Sequence, residues 1–176
     1  MTPAVETTIA SINDVAAIAA LVNNAYRGDD AKKGWTTEAD LLDGLRTNED
    51  SLTGLINTPG SVILKYTDNQ EQLLGCVYLT KKENKLYLGM LTVAPALQAK
   101  GIGKQLLLAA ENHAKVTGCA VITMTVISVR KELIAWYERH GYHATGETEP
   151  FPVDPAFGLP KQPLHFIVME KLLRSY

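Results

Sequence analysis

The residues that most need explaining are Gln98, Gly101 and Gly103, in LTVAPALQAKGIGKQLLLAAENHA (91–114). An apolar run reaches Pro95, a polar stretch follows, and apolar residues then recur at helical spacing. The first N–H groups of a helix have no internal acceptor, and the helix dipole adds partial positive charge there. A helix that starts at a glycine turn is therefore a ready anion site. Glycine also lets the backbone approach a ligand with no side chain between them. Two phosphate motifs that share this logic fail here. The Walker pattern needs Gly at 98 and Ser or Thr at 105, and both positions are Gln. The dinucleotide fingerprint needs a third glycine, and position 106 is Leu. Two readings stay open on spacing alone, an anion site of another kind and a helix start shaped by tight packing. Lys100 and Lys104 either add charge to the site or lie on the surface as solvated lysines.

Other reactive side chains are sparse. AWYERHGY (135–142) sets Tyr137 on an amphipathic segment, where periodicity alone reads as core. His140, His143 and His165 change charge near neutral pH but have no metal-ligand companions at suitable spacing, so no metal is expected. His165 is a candidate for a substrate pocket. No Gly-x-Ser-x-Gly elbow is present, which removes serine-hydrolase chemistry. Cys76 and Cys119 sit in apolar runs and read as buried free thiols.

The elements that must position these groups follow from pattern. Residues 4–10 read as a strand. Asn13 or Asp14 then caps a helix that buries Val15, Ile18, Ala19, Val22, Ala25 and Tyr26. After a polar loop (27–35), Thr36 or Thr37 caps a second helix through TTEADLLDGLRTN, and a short helix at about 49–57 ends at Pro59-Gly60. Strands at 61–66, 73–81 and 86–93 have connections too short for crossovers and form an antiparallel meander. The helix after Gly103 turns Leu106, Leu107, Ala110 and Ala114 inward and stops near Gly118. A buried strand at 119–127 closes a βαβ unit and runs parallel to 86–93. A helix with Leu133, Trp136, Tyr137 and His140 on one side ends at Gly141. Strands at 142–148 and 164–171 flank a long loop rich in proline and aromatics. The order β α α β β β α β α β β is an α+β fold with helices on a mixed sheet. With no repeat or linker, residues 1–176 read as a single domain.

Gln98-x-x-Gly101-x-Gly103 after LTVAP resembles the pyrophosphate-binding motif of the GCN5-related N-acetyltransferases. AWYERHGY resembles that family's second signature, a Tyr four residues before a Gly-aromatic pair. The resemblance covers nearly the whole order of elements. It implies a mostly antiparallel sheet of about seven strands with helices on both faces, and a splayed parallel pair holding acetyl-CoA. It also implies that the backbone from Gln98 through Ala99, Lys100, Gly101, Ile102 and Gly103 to Lys104 holds the diphosphate. Leu91, Thr92 and Val93 would run beside the pantetheine arm as one strand runs beside another. Tyr137 would protonate the departing thiolate after an amine attacks the acetyl carbonyl through a tetrahedral intermediate. Tyr142, at the Gly-aromatic position, reads as packing.

Two positions depart from the family pattern. Where many members carry Asn against the CoA arm, this chain has Arg130, which reads as a contact to cofactor phosphates, a contact to an acidic acceptor, or a surface residue. Where many carry a carboxylate base on the strand before the turn, the matching residues are Tyr87 and Gly89. For the acceptor, the resemblance points to Tyr26, Tyr78 and Tyr87, the loop 150–160, Trp35 as an apolar wall and Glu38 as partner of a cationic amine.

Composition bounds the rest. The chain has 176 residues, 46% of them hydrophobic, and a net charge of −2, which argues against a nucleic-acid or lipid-surface binder. Its start lacks a basic n-region and a long apolar h-region, and no window approaches a membrane span, so a cytoplasmic protein is expected. The final strands are candidates to pair across a homodimer. Two functions compete. One is an acetyl-CoA-dependent N-acetyltransferase acting on a small-molecule or peptide amine. The other is an acyl-CoA-binding sensor or interaction module with weak or no transfer, which the absent carboxylate at Gly89 favours.

Overall fold

Apolar residues at period two build a seven-stranded sheet in the computed structural model, which describes residues 6–26, 42–43, 46–98, 100–151, 159–161 and 163–173. The strands are β1 (Glu6–Ile9), β2 (Leu42–Asp43), β3 (Ser61–Thr67), β4 (Leu73–Lys82), β5 (Lys85–Val93), β6 (Val121–Ile127), β7 (His143–Pro150), β8 (Leu159–Pro160) and β9 (His165–Leu172). Among the described residues the helices are α1 (Val15–Tyr26), α2 (Glu49–Asn57), α3 (Ile102–Val116) and α4 (Lys131–Arg139). The sheet order is β1-β3-β4-β5-β6-β9-β7, and only β5 and β6 are parallel. The expected meander and βαβ unit are present, with boundaries shifted by a residue or two.

Strand alternation divides the core into two layers. Val77, Leu79, Leu86, Leu88, Ile122 and Met124 face α3 and α4, while Ile63, Cys76 and Met90 face α1 and α2. Cys76 and Cys119 are buried free thiols, and burial pushes the Cys76 thiol up to about 12. No helix among the described residues is long and apolar enough to cross a membrane.

Two local expectations are corrected. The first helix is introduced by a 3-10 turn at Ile12–Asp14, and its cap is Ser11. Ser11 Oγ accepts from the Asn13 N–H at 3.3 Å, and the Asp14 carboxylate accepts from the Ser11 N–H at 2.8 Å. Asp14 is thus the far partner of a capping box, because the 3-10 turn moves the true start three residues earlier. The helix expected through TTEADLLDGLRTN does not include Leu42 and Asp43, which pair as strand β2 with Pro160 and Leu159 of β8. Pairing with a distant segment overrides a local helical pattern. The rest of that helix, residues 36–41 and 44–45, lies outside the described residues, as do the loop 27–35 and residues 152–158.

Asn23 ties α1 to the segment that enters α2. Its Oδ1 accepts from the backbone N–H groups of Arg46 at 2.8 Å and Thr47 at 3.0 Å, and its Nδ2 donates to the Thr47 carbonyl at 3.0 Å. Thr47 is buried, so loss of the amide leaves polar backbone without partners. Asn23→Ala is expected to lower stability by about 2 kcal/mol. Urea unfolding should show a lower midpoint with an unchanged m-value.

Candidate active site

Strand β5 carries the feature that opens the site. Cys76 of β4 faces Thr92, and Tyr78 faces Gly89, so the single residue Val77 lies opposite both Met90 and Leu91. This is a β-bulge, and Met90 takes the left-handed backbone conformation with φ of 54°. Side chains hold the displaced carbonyls. Thr92 Oγ1 donates to the Met90 carbonyl at 3.0 Å, and the Tyr26 hydroxyl donates to the Leu91 carbonyl.

Parallel pairing of β5 with β6 is short. It runs through Lys85↔Val121, Leu86↔Ile122 and Tyr87↔Thr123 and then stops, although both strands continue. Beyond these pairs the strands diverge, and a cleft of about 890 Å³ opens between them. The expected splay is therefore present, and the bulge lies on the diverging half. Tyr26, Tyr87, Leu91, Arg130 and Tyr137, named from sequence, all line this cleft. Pro150 and Phe151, from the loop 150–160 named as an acceptor candidate, line it too, whereas Arg46, Met90, Thr125, Glu149 and Phe166 also line it and were missed. Phe151 and Phe166 pack with ring centroids 5.0 Å apart, and Glu149 lies opposite Phe166 in the β7–β9 register. Arg46 lies over the Tyr26 ring at 5.5 Å.

The glycine turn stands at the start of α3. Gly101 is the N-cap residue with φ of 86°, and its carbonyl accepts the first helical bond from the Gln105 N–H at 3.1 Å. No side chain caps this end, so the N–H groups of Ile102, Gly103 and Lys104 have no acceptor among the described residues. A Cβ at Gly101 would point into open space, whereas one at Gly103 would lie 3.1 Å from the Trp136 ring. The two glycines answer different needs. Gly101 supplies a backbone conformation, and Gly103 admits an indole from α4. The Gln98 side chain donates to the Val93 carbonyl at 3.1 Å, which folds the turn back on the end of β5. Lys100 and Lys104 are exposed, and Ala99 lies outside the described residues.

Tyr137 enters the cleft from α4. Its ring packs edge-on against Trp136 at 5.2 Å and Tyr142 at 5.8 Å. Burial, reinforced by Tyr26 and opposed by Arg130, holds its hydroxyl well above the usual tyrosine range. It makes no hydrogen bond among the described residues, so it is a protonated donor facing the cleft. Tyr142 is buried and packs, and its own hydroxyl has no hydrogen-bond partner among the described residues.

Several named residues fall elsewhere. Thr92 and Val93 end β5 with buried side chains, and His165 is exposed with its Nδ1 3.3 Å from Ser128 Oγ. Tyr78 stands behind Tyr87, with rings 6.5 Å apart and its hydroxyl 3.3 Å from Ser61 Oγ. Trp35 and Glu38 lie outside the described residues. Among those described, no group of three or more His, Cys, Asp or Glu side chains is placed to hold a metal.

A split parallel pair, an uncapped helix start at one end and a tyrosine hydroxyl inside define an acyl-transfer fold. Residues 18–142 match the Acetyltransferase (GNAT) family, and the chain belongs to it. It is an acetyltransferase. No curated protein matches the sequence. Solved structures match over nearly the full length. The ribosomal-protein-S18-alanine N-acetyltransferase from Escherichia coli is 14% identical with a TM-score of 0.73, covering 98% of this chain and 96% of that one. The PaiA N-acetyltransferase of Thermoplasma acidophilum, in complex with coenzyme A, is 19% identical at TM-score 0.67, covering 97% and 99%. A chimera of the spermidine N-acetyltransferase SpeG from Vibrio cholerae and hSSAT is 18% identical at 0.68, covering 96% and 95%.

The two glycines should fail differently on substitution. Gly101→Ala is expected to cost about 1–2 kcal/mol from left-handed backbone strain. Gly103→Ala is expected to cost about 1–3 kcal/mol by pressing on Trp136. Urea unfolding measures both costs. The near-ultraviolet circular dichroism of the tryptophan should change only for Gly103→Ala.

Proposed function

We propose that this protein transfers the acetyl group of acetyl-CoA to a primary amine of a small molecule or peptide by direct attack, with residues 1–176 acting as one unit. The reading rests on the split between β5 and β6, which starts at Tyr87↔Thr123 and has the Tyr137 hydroxyl within it. The α3 start fits a diphosphate, because three N–H groups without acceptors and an unobstructed Gly101 suit a multiply charged anion. The CoA complex of the PaiA neighbour supports the same ligand. Lys100, Lys104 and the N–H groups from Ile102 to Lys104 would hold the phosphates, and the unpaired edge of β5 would run beside the pantetheine arm. Acetyl-CoA supplies the activated acyl group as co-substrate, with no metal.

In this reading the amine lone pair forms a bond to the acetyl carbonyl carbon, and a tetrahedral intermediate collapses with loss of thiolate. Tyr137 donates a hydrogen bond to the sulfur as charge develops there. The acceptor enters along the α1–α2 face of the sheet, where Phe151 and Phe166 form an apolar wall and Glu149 suits a cationic amine. The neighbours named for spermidine and for a ribosomal-protein alanine span a polyamine and a protein amine, and the described residues favour neither.

The test is thiol release from acetyl-CoA against a panel of polyamines, amino acids and peptide N-termini. Tyr137→Phe should lower kcat by about 10²-fold and leave CoA affinity within about twofold. The raised hydroxyl stays protonated across the assay range, so the wild-type pH–rate profile should show no alkaline fall from it. Tight CoA binding with no turnover on any amine would instead mark a CoA-binding module.

A further inference from the structure

The amine that attacks must first lose a proton, and no carboxylate stands on the strand beside the reacting centre. Position 89 is crowded by neighbouring side chains. A Cβ there would meet Tyr87 Cε1 at 3.0 Å and lie 3.5 Å from the Tyr87 hydroxyl, with Tyr78 Cδ1 at 3.6 Å. The Tyr87 ring has folded over the place a side chain at 89 would take. Its hydroxyl reaches across the split and stands 3.3 Å from Thr125 Oγ1 on β6. Thr125 lies two residues beyond Thr123, the last residue of β6 paired with β5, so the two hydroxyls span the cleft where it first opens. Both residues line the cleft, and both are partly accessible. Glu149, the one carboxylate that lines the cleft among the described residues, sits on β7, beyond β9 from β6. Across two strand spacings it suits the acceptor's binding rather than the reacting proton.

We propose that the Tyr87 and Thr125 hydroxyls carry the proton of the attacking ammonium out of the site, in place of a carboxylate base. This rests on the acetyl-transfer reading above. The ammonium N–H gives its proton to Tyr87 Oη as the phenol passes its own to Thr125 Oγ1, and the threonine hydroxyl releases one to water. Both hydroxyls are regenerated, and one proton leaves to solvent. The freed lone pair makes the C–N bond, and the C–S bond breaks with its electrons on sulfur.

The charged and titratable groups that face this pair come from every surrounding element. Lys82 of β4 lies 4.9 Å from the Tyr87 ring centroid, and Tyr78 packs behind it. The Lys85–Glu170 ion pair, at 2.8 Å, marks the closed end of the split. Tyr26 and Arg46 face the cleft from the α1–α2 side, Arg130 and Tyr137 from α4, and Glu149 from β7.

Tyr87→Phe keeps the ring over Gly89 and removes only the hydroxyl. With the best amine of the panel, it should lower kcat/KM by about 10²-fold at pH 7. The loss should shrink to within about threefold near pH 10, where a primary amine sheds its proton to solvent unaided. Thr125→Val should show the same pH-dependent loss, and the double variant should lose no more than either single one, as expected for two members of one relay. CoA affinity and melting temperature serve as folding controls and should match the wild type. A loss of equal size at pH 7 and pH 10, or no loss at pH 7, overturns the relay while the transferase reading stands. A wild-type protein that binds CoA but turns over no amine overturns both.

Discussion

The bulge at Met90–Leu91 is the constraint on which the rest of the site depends. Two residues of β5 oppose one residue of β4, and the extra residue turns the strand away from β6. The parallel pair ends at Tyr87↔Thr123, and the bulge lies on the half of the strand where the cleft is open. A non-glycine residue at φ of 54° persists only where its surroundings over-determine it. Here Thr92 and Tyr26 hold the two bulge carbonyls, and Met90 itself is buried under α1. Tyr26 therefore also tethers the first helix to the strand that lines the site.

The order of strands and helices is readable because most segments agree with their surroundings. Ile122, Met124 and Val126 alternate with Thr123 and Thr125, and the structure buries the first set while the second stays partly accessible in the cleft. The bulge also leaves a trace. Leu86 and Leu88 face the α3–α4 layer, and so do Leu91 and Val93, a step of three where period two demands two or four. LYLGMLTV is apolar almost throughout, and that hides the change of phase. Residues 42–43 and 159–160 are less legible because each pair is a strand only through the other. A two-residue ribbon has no periodicity of its own, and Leu42 becomes a strand residue only through Pro160. Arg46, Glu149 and Phe166 reach the cleft only through tertiary packing, and none carries a spacing signal.

At the helix start, the sequence motif merges two physical demands. Gln98, Gly101 and Gly103 look alike as marks of a ligand turn. In the structure Gln98 is turned back on Val93, Gly103 yields to Trp136, and Gly101 leaves its surroundings open. Only the last has the free approach that an anion needs. Trp136 in turn packs against Tyr137, so the glycine turn and the tyrosine within the cleft are coupled through a single indole. Two signatures far apart in sequence are thus halves of one packing arrangement.

Gly89 completes the account from the other strand. Read as a sequence, it is a missing carboxylate, and that absence favours a protein that binds without transferring. Read in the structure, the position is not vacant, since the Tyr87 ring occupies the volume and brings a hydroxyl to Thr125. Tyr87 belongs to the last pair before the strands part, so its side chain is held at the one height where a bridge between them is short enough for hydroxyls to meet. A side chain at 89 and the Tyr87 ring over 89 crowd one another, with the Cβ 3.0 Å from Tyr87 Cε1. In the proposed relay this arrangement moves the proton through hydroxyls and water rather than onto an anion.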